Sequence, residues 1–569
     1  MHPDGPLLLV ILDGLGVREE SEGNAVAQAR TPFFDYISGL SPGNKEFPAT
    51  FGPVSCTTLV AVGPKVGMPE EARGSTAVGH EVLSGVDYRH PIYAIVEGIE
   101  NGEMKNPVID DAIRHAVGHD SALHLMGLIS DNREHSDIRH LYAILQRAVN
   151  LGQKKIWLHF FSDGRGTPPQ SAPRYVKELR KKISEITKGS PSCEIRIATV
   201  SGRDLSMNRS ALYWTKTESV FRAIIEADAP RSETIEKSLE AAYALGLNDQ
   251  YVPVGVVGDY RGVENHDSLV HFNFRRDRSE MLMKMLVEPE AKVAEILRTS
   301  GDTSYADIQE FGKVEKKRGL DYSTLKVSAL VEYYKGIPCP VAFMAKPHEW
   351  SLGRFLSERG FRQRFISGVD KTAALRLLNG AERSELYDGQ ESVLVPLPAD
   401  MRQYIRDYDV HKGQPGFEEN PYVKYPLVEL EELTGVVVEE IEKADGKTFI
   451  AVNICNPDMV GHTADMAACI KCAEAIDVSL QKITEQVLKS RGIMLLTADH
   501  GNIEELFTDG EPNTYHTRAK VPFAILGMPS RPLRDDGTLK DVAPTILYLV
   551  LGEENPDVKK HLPGRILFR

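Results

Sequence analysis

Short apolar runs alternate with amphipathic stretches along most of this chain. LLLVIL (7–12), KIWLHFF (155–161), EIRIATV (194–200), SLVHFNF (268–274), TFIAVNI (448–454), IMLLTAD (493–499) and VPFAIL (521–526) are short and predominantly apolar, the pattern of strands buried in a sheet. Between them, IRHLYAILQRAVNL (138–151) repeats its apolar positions at helical spacing and stops at Gly152. The charged APRYVKELRKKISEIT (172–187) does the same and stops near Gly189. Strand and helix signals in alternation predict an α/β fold with a largely parallel sheet. There is no internal repeat and no low-complexity tract. The best breaks are YRHP (88–91) and MAKP (344–347), where a proline restricts the residue before it.

Length and charge narrow the picture. The 569 residues suffice for two large domains or three smaller ones. With 67 Lys and Arg against 81 Asp and Glu, the net charge of −14 argues against a nucleic-acid partner. PLLLVIL (6–12) has no basic residue before it and is far shorter than the roughly 20 residues a membrane helix needs, so it reads as a buried strand and no membrane partner is expected. Six cysteines are too few for a disulfide framework, and a reducing cytoplasm is the simplest setting. Cys469 and Cys472 form a lone CxxC in AACIKCAEAID and are expected as two thiols on a helix surface rather than a zinc site.

Candidate chemistry gathers beside strand ends and glycines. Asp13 ends the first strand in VILDGLG; Asp458 and His462 follow another in NICNPDMVGHT, where Pro457 can open a helical turn that puts both on one face. Asp499 and His500 end the strand of LLTADHGN, and His516 precedes the next in YHTRAKVP. Three Asp and three His supply mixed oxygen and nitrogen ligands, which suit manganese or, less well, zinc and magnesium. Six ligands exceed what one catalytic ion with an open position needs, so two ions are the economical count. ARGSTAVGH (72–80) adds neighbouring hydroxyls, Ser75 and Thr76, either of which a metal could activate as a nucleophile. A second constellation is basic: Arg165 in SDGRGTPP, Arg203 in SGRDLSMN, Arg209 in MNRS, and Arg275 and Arg278 in NFRRDRSE, the last two spaced to share a helical face, with His135 in LISDNREHSD. Guanidinium forks there favour an anion, and a small phosphorylated carboxylic acid would fill the site.

These motifs, VILDGLG, EGNAVAQARTP, VGMPEEARGSTAVGH, LMGLISD, DGRGTPP, SGRDLSMNR, HFNFRRDR, NPDMVGHT, TADHGN, YHT and DVAPTIL, span nearly the whole length, and by them the chain resembles the cofactor-independent phosphoglycerate mutases of the alkaline phosphatase superfamily. The resemblance implies a discontinuous phosphatase-like metal-binding domain (1–89 and 345–569) and an inserted α/β substrate domain (90–344). It implies two divalent ions, manganese first, with magnesium, cobalt or zinc as alternatives, held by Asp13, Thr76, Asp458, His462, Asp499, His500 and His516. Substrate positions fall on His135, Arg165, Arg203, Arg209, Arg275 and Arg278, and a catalytic lysine on Lys371 in GVDKTAA, next to the retained acid Asp370. The family's nucleophilic serine in NSEVGH stands four residues before the histidine. Counting back from His80 makes Thr76 the expected nucleophile, with Ser75 the alternate. The chain departs from the pattern where DGRD reads DGRG at Gly166 and where Ala77 replaces a glutamate. The expected activity is interconversion of 3- and 2-phosphoglycerate through a phosphoenzyme, by a cytoplasmic monomer, with Asp163 a candidate proton carrier. The alternatives are a metal-dependent phosphatase or phosphomutase of another small phosphorylated metabolite, and a non-catalytic binder.

Overall fold

The computed structural model describes residues 4–39, 47–209, 213–299, 319–344, 348–368, 371–380, 386–411, 419–508, 510–552 and 554–569; Asp370 lies outside them. The chain divides into two compact units, one made of Met1–His90 with Pro347–Arg569 and the other of Pro91–Lys346.

The first unit is built on a seven-stranded sheet. Its spatial order is Gln390–Val395, Arg362–Gly368, Thr448–Ile454, Leu7–Leu12, Ile493–Thr497, Val521–Leu526 and Ser55–Leu59. Pairing is parallel from the first of these to Ile493–Thr497, and antiparallel where Val521–Leu526 joins Ile493–Thr497 and Ser55–Leu59. LLLVIL is the middle strand, and all six of its residues are buried. Truncating one of these leucines to alanine would cost about 2–5 kcal/mol. Leu12 stands opposite Ile454, and Ile11 opposite Thr497. The residues that follow the three strands therefore emerge together at one edge, where parallel sheets present their sites.

Helices Leu430–Lys443 and Met466–Lys489 pack against one another and contribute to this core. Asp465 caps the longer one by accepting from Ala468 N at 2.8 Å. Cys469 and Cys472 are fully buried on its inner face, contrary to the expected surface position. They lie in register with buried Ala473, Ile476 and Leu480, so the thiols pack as small apolar groups.

The second unit holds an eight-stranded sheet in the order Val341–Phe343, Lys326–Val331, Ser268–His271, Leu123–Leu128, Lys155–Ser162, Glu194–Gly202, Gly255–Val257 and Arg231–Ser232. All neighbours run parallel except Glu194–Gly202 with Gly255–Val257. The strand at SLVHFNF is shorter than its apolar run because the Asn273 side chain accepts the Leu128 N–H at 2.8 Å, and the backbone turns away. Met126 pairs with His271, Leu128 with Phe161, and Ser162 with Gly202, so the segments after these strands also share one edge. Among the described residues no helix is long and apolar enough to cross a membrane.

Candidate active site

Three strands of the first unit deliver three buried acids. Asp13 and Asp499 are fully inaccessible, and Asp458 nearly so, within the short helix Asn456–Gly461 that Pro457 opens. Gly14, at φ +82°, makes the turn after Asp13, and a Cβ there would stand 2.7 Å from Asp458 Cα, so only glycine lets these two loops approach. The Lys371 ammonium is the basic group among the acids. It donates to Asp458 Oδ2 at 2.8 Å, Asp13 Oδ1 at 3.1 Å and Thr76 Oγ1 at 3.2 Å. Burial disfavours its charge, but Asp13 and Asp458 outweigh burial and hold its pKa well above the usual lysine range.

Thr76 begins helix Thr76–Leu83, and its Oγ1 lies 2.9 Å from His500 Nε2 and 3.4 Å from Asp13 Oδ1. Ser75 is the extended residue before that helix, and its side chain makes no capping hydrogen bond. The remaining histidines face Asp458. His516 Nε2 is 3.0 Å and His462 Nε2 3.4 Å from Asp458 Oδ1, and the two nitrogens are 3.2 Å apart. The other ring nitrogen of each meets a backbone carbonyl at 2.9 Å, Gly74 for His516 and Thr514 for His462. A carbonyl can only accept, so it fixes Nδ1 as protonated and leaves Nε2 of each ring to face the carboxylate.

His462, His516 and Asp458 thus converge on one point, where a cation would be held by all three. His500, stacked on His516 at 3.8 Å, is pushed down to about 3 by burial and stays neutral. Asp499 Oδ2 is buried without a hydrogen-bond partner. Although burial opposes it, Asp499 and Asp13 hold the His80 imidazole above its ordinary pKa and Asp458 does the same for His516, so the three carboxylates draw in positive charge that divalent ions would supply instead. Among the described residues of this centre, two ligand groups are close enough to share an ion, Asp458 with His500 and His516, and Asp13 with Asp499 and His80.

The basic cluster belongs to the second unit. Arg203, 3% exposed, donates to Asp163 Oδ1 at 2.6 Å and lies 2.6 Å from His135 Nε2. His135 is pushed down to about 4, chiefly by burial, and its Nδ1 has no partner. Arg275 and Arg278 lie on a turn before helix Glu280–Val287, not on the shared helical face expected. Arg275 pairs with Glu134 at 2.6 Å and Asp277 at 2.9 Å, and Arg209 with Asp277 at 3.0 Å. Burial and the guanidiniums of Arg209 and Arg203 push Arg278 down to about 9, the mark of crowded positive charge that an anion would relieve. Arg165 is exposed, and its backbone N–H reaches Asp163 Oδ1 at 3.3 Å. Asp163 accepts from Ser130, Asn132, Arg203, Arg165 N and Gly166 N, so its lone pairs are taken up in organising the turn rather than left for proton exchange.

The chain is 34% identical over 556 residues to a 2,3-bisphosphoglycerate-independent phosphoglycerate mutase of Pseudomonas syringae pv. tomato, a match covering 97% of this chain and 96% of that one. The chain belongs to that mutase family. A mutase of the same name from Moorella thermoacetica is 33% identical, with 96% and 95% covered. The family described as BPG-independent PGAM N-terminus matches residues 95–313, and the Metalloenzyme superfamily matches 418–553, the stretch that contains Asp458, His462, Asp499, His500 and His516. A crystal structure of Leishmania mexicana phosphoglycerate mutase at low cobalt concentration shares the fold, with TM-score 0.72, 24% identity and 100% and 98% coverage. The α/β architecture with an inserted second α/β unit is thus that of the mutase family, and divalent metal binding agrees with both the Metalloenzyme match and the clustered ligands.

Three supports of the mutase centre escaped the sequence reading. His80 is buried, with Nδ1 2.9 Å from Thr76 O and Nε2 3.0 Å from Asn453 Nδ2, while Asn453 also donates to Asp13 Oδ2 at 2.8 Å. His80 and Asn453 thereby tie the Thr76 helix to the Asp13 carboxylate. Glu504, also buried, accepts Gly16 N at 2.9 Å, Asn502 N at 2.8 Å and the Thr517 hydroxyl, linking the loops that carry Asp13, His500 and His516. In the second unit, the mutase departure at Gly166 has a spatial counterpart: a Cβ there would overlap the Asn132 carboxamide nitrogen.

Proposed function

We propose that this chain interconverts 3-phosphoglycerate and 2-phosphoglycerate through a phosphothreonine at Thr76, without a bisphosphoglycerate cofactor. The observation that carries the reading is the convergence of Thr76 Oγ1 with Lys371 Nζ, Asp13 and His500 in one buried centre of a chain aligned end to end with mutases. Asp13, Thr76, Asp458, His462, Asp499, His500 and His516 would together hold two divalent ions; oxygen and nitrogen donors without thiolate favour manganese. When bound, such a pair lowers the pKa of a ligated hydroxyl and screens a transferring phosphoryl group.

Thr76 Oγ attacks the substrate phosphorus, the bond from phosphorus to the C3 oxygen breaks as the new ester forms, and the proton lost by the Thr76 hydroxyl is made up at the departing C3 oxygen. Lys371 Nζ, already within hydrogen-bond reach of Thr76 Oγ1, stabilises the charge on the transferring group. The start of helix Thr76–Leu83 adds unpaired N–H groups beside the new phosphoester. The glycerate then presents its C2 hydroxyl; the arginines around Arg203 and Arg278 are the anion-binding groups of the second unit. The C2 oxygen attacks the phosphothreonine, its proton is made up at the departing Thr76 oxygen, and 2-phosphoglycerate forms. Cytoplasmic residence is supported by six free cysteines.

Manganese-loaded protein incubated with 3-phosphoglycerate alone should yield 2-phosphoglycerate with little free phosphate. Phosphate as the main product would assign a phosphatase instead. Thr76→Ala should abolish turnover while Ser75→Ala keeps it; the reverse result would move the phosphoryl acceptor to Ser75.

A further inference from the structure

A second group of imidazoles stands apart from all of this chemistry. His115 and His119 lie one helical turn apart at the end of helix Pro107–Gly118, and His266 joins them from the loop before strand Ser268–His271. One ring nitrogen from each lies within 4.8 Å of the others, and the group is partly to fully exposed. The rings of His119 and His266 are parallel, 4.5 Å apart at 1°, and those of His115 and His119 are 4.6 Å apart.

The surroundings hold these rings in place. His119 Nδ1 is 2.8 Å from the His115 carbonyl, which can only accept, so Nδ1 carries the proton and Nε2 keeps its lone pair. His115 Nδ1 is 3.1 Å from Ser268 Oγ, a hydroxyl that can donate or accept, and where it accepts, Nε2 keeps its lone pair. Hydrogen bonding of the second ring nitrogen is the usual outer support of a metal-binding histidine. His266 adopts φ +67°, a left-handed conformation uncommon outside glycine. That conformation is held by Thr324 Oγ1, which accepts the His266 N–H at 3.1 Å, and by Ser121 Oγ, which donates to its carbonyl at 2.6 Å. Backbone strain of this kind persists where neighbours over-determine it, and here it sets the third imidazole beside the other two.

We propose that His115, His119 and His266 form a separate binding site for a borderline divalent cation of the zinc class, with water completing the coordination. Three neutral nitrogens and no carboxylate select zinc, nickel or copper over manganese and magnesium. A nitrogen-to-metal distance of about 2.0–2.1 Å requires the His119 and His266 rings to turn out of their parallel stack, so that lone pairs lying in the two ring planes meet at one ion. The site lies at the beginning of strands Leu123–Leu128, Ser268–His271 and Lys326–Val331, at the sheet edge opposite the one that carries His135 and Arg275. A bound ion would pin the end of helix Pro107–Gly118 to the loop before Ser268 and stabilise the second unit without touching the reaction.

The test is equilibrium dialysis of the full-length protein against Zn2+, followed by elemental analysis, for wild type, His119→Gln and His266→Gln. Each exposed substitution should lower the bound zinc by one equivalent per chain and abolish a zinc-dependent rise in Tm, with mutase turnover unchanged. Equal zinc stoichiometry in all three proteins overturns the proposal. Because zinc at the Asp13 and Asp458 centre is common to all three, the difference reads the histidine site alone, whatever reaction the other centre performs.

Discussion

Alanine at position 166 tests how the arginine cluster is held. A Cβ added at Gly166 would lie 2.9 Å from Asn132 Cγ, 3.1 Å from Asp163 Oδ2, and on top of Asn132 Nδ2. The Asn132 side chain must therefore swing away. It then gives up its 2.7 Å hydrogen bond to Asp163 Oδ2 and its 2.9 Å acceptance of Glu134 N, the bond that shapes the approach to His135. A hydrogen bond to a charged carboxylate is worth about 1.5–3 kcal/mol and a neutral one about 0.5–1.5 kcal/mol, and partial exposure puts both toward the lower end. A net loss of about 2 kcal/mol would lower kcat/KM for 3-phosphoglycerate roughly 30-fold, mainly through KM if the cluster binds ground and transition states alike. Steady-state kinetics on Gly166→Ala, Asn132→Gly and the double variant measure this directly. Asn132→Gly removes the obstacle, so adding Gly166→Ala to it should cost little, a strongly non-additive cycle. Wild-type kinetics for Gly166→Ala, or additive losses in the double variant, would refute the steric coupling. Divalent-metal binding should be unchanged throughout, since the proposed ligands lie in the other unit.

Lys371→Met leaves Asp13 and Asp458 facing each other without their ammonium, so the chelator-treated protein should lose about 3–5 kcal/mol of stability. Thermal melts should show manganese narrowing that gap, while turnover stays at least roughly 100-fold down. Asp477, on the long helix, accepts Phe34 N at 2.7 Å, and burial raises its pKa from 3.8 to about 6. A raised folded-state pKa means stability that is complete below pH 3.8 and lost as pH rises through about 6. Asp477→Asn should flatten this loss in urea titrations and exceed wild type above pH 6, by at most about 3 kcal/mol. A charged thiol reagent should label exposed Cys56 in the native protein and spare Cys469 and Cys472, as mass spectrometry of the modified peptides would show.

Strands and metal-type ligands were legible because each leaves a local trace. TFIAVNI and VPFAIL match the observed strands Thr448–Ile454 and Val521–Leu526 residue for residue. Asp13, Asp458 and Asp499 each follow a buried strand, so the parallel register alone brings them together. Supports that act through space leave no such trace. Asn453 reads as one more strand residue, and Glu504 in NIEE reads as surface charge, yet both are fully buried. The buried cysteines were legible in principle, since positions 469, 472, 473, 476 and 480 trace one apolar helical stripe. The Arg275–Arg278 spacing misled because three to four residues also fit a turn, and Asp277 between them draws Arg209 and Arg275 from two sides.

The place of LLLVIL in its sheet sets a schedule for biosynthesis. Leu7–Leu12 leaves the ribosome more than 400 residues ahead of both its partners, Thr448–Ile454 and Ile493–Thr497. At about 5–20 residues per second, that most apolar strand waits on the order of tens of seconds or longer for its neighbours, while Pro91–Lys346 is contiguous and can collapse meanwhile. The nascent chain therefore carries an unpaired, aggregation-prone edge through most of translation. A chaperone that shields the N-terminal segment should raise the yield of this protein more than it raises that of the second unit expressed alone.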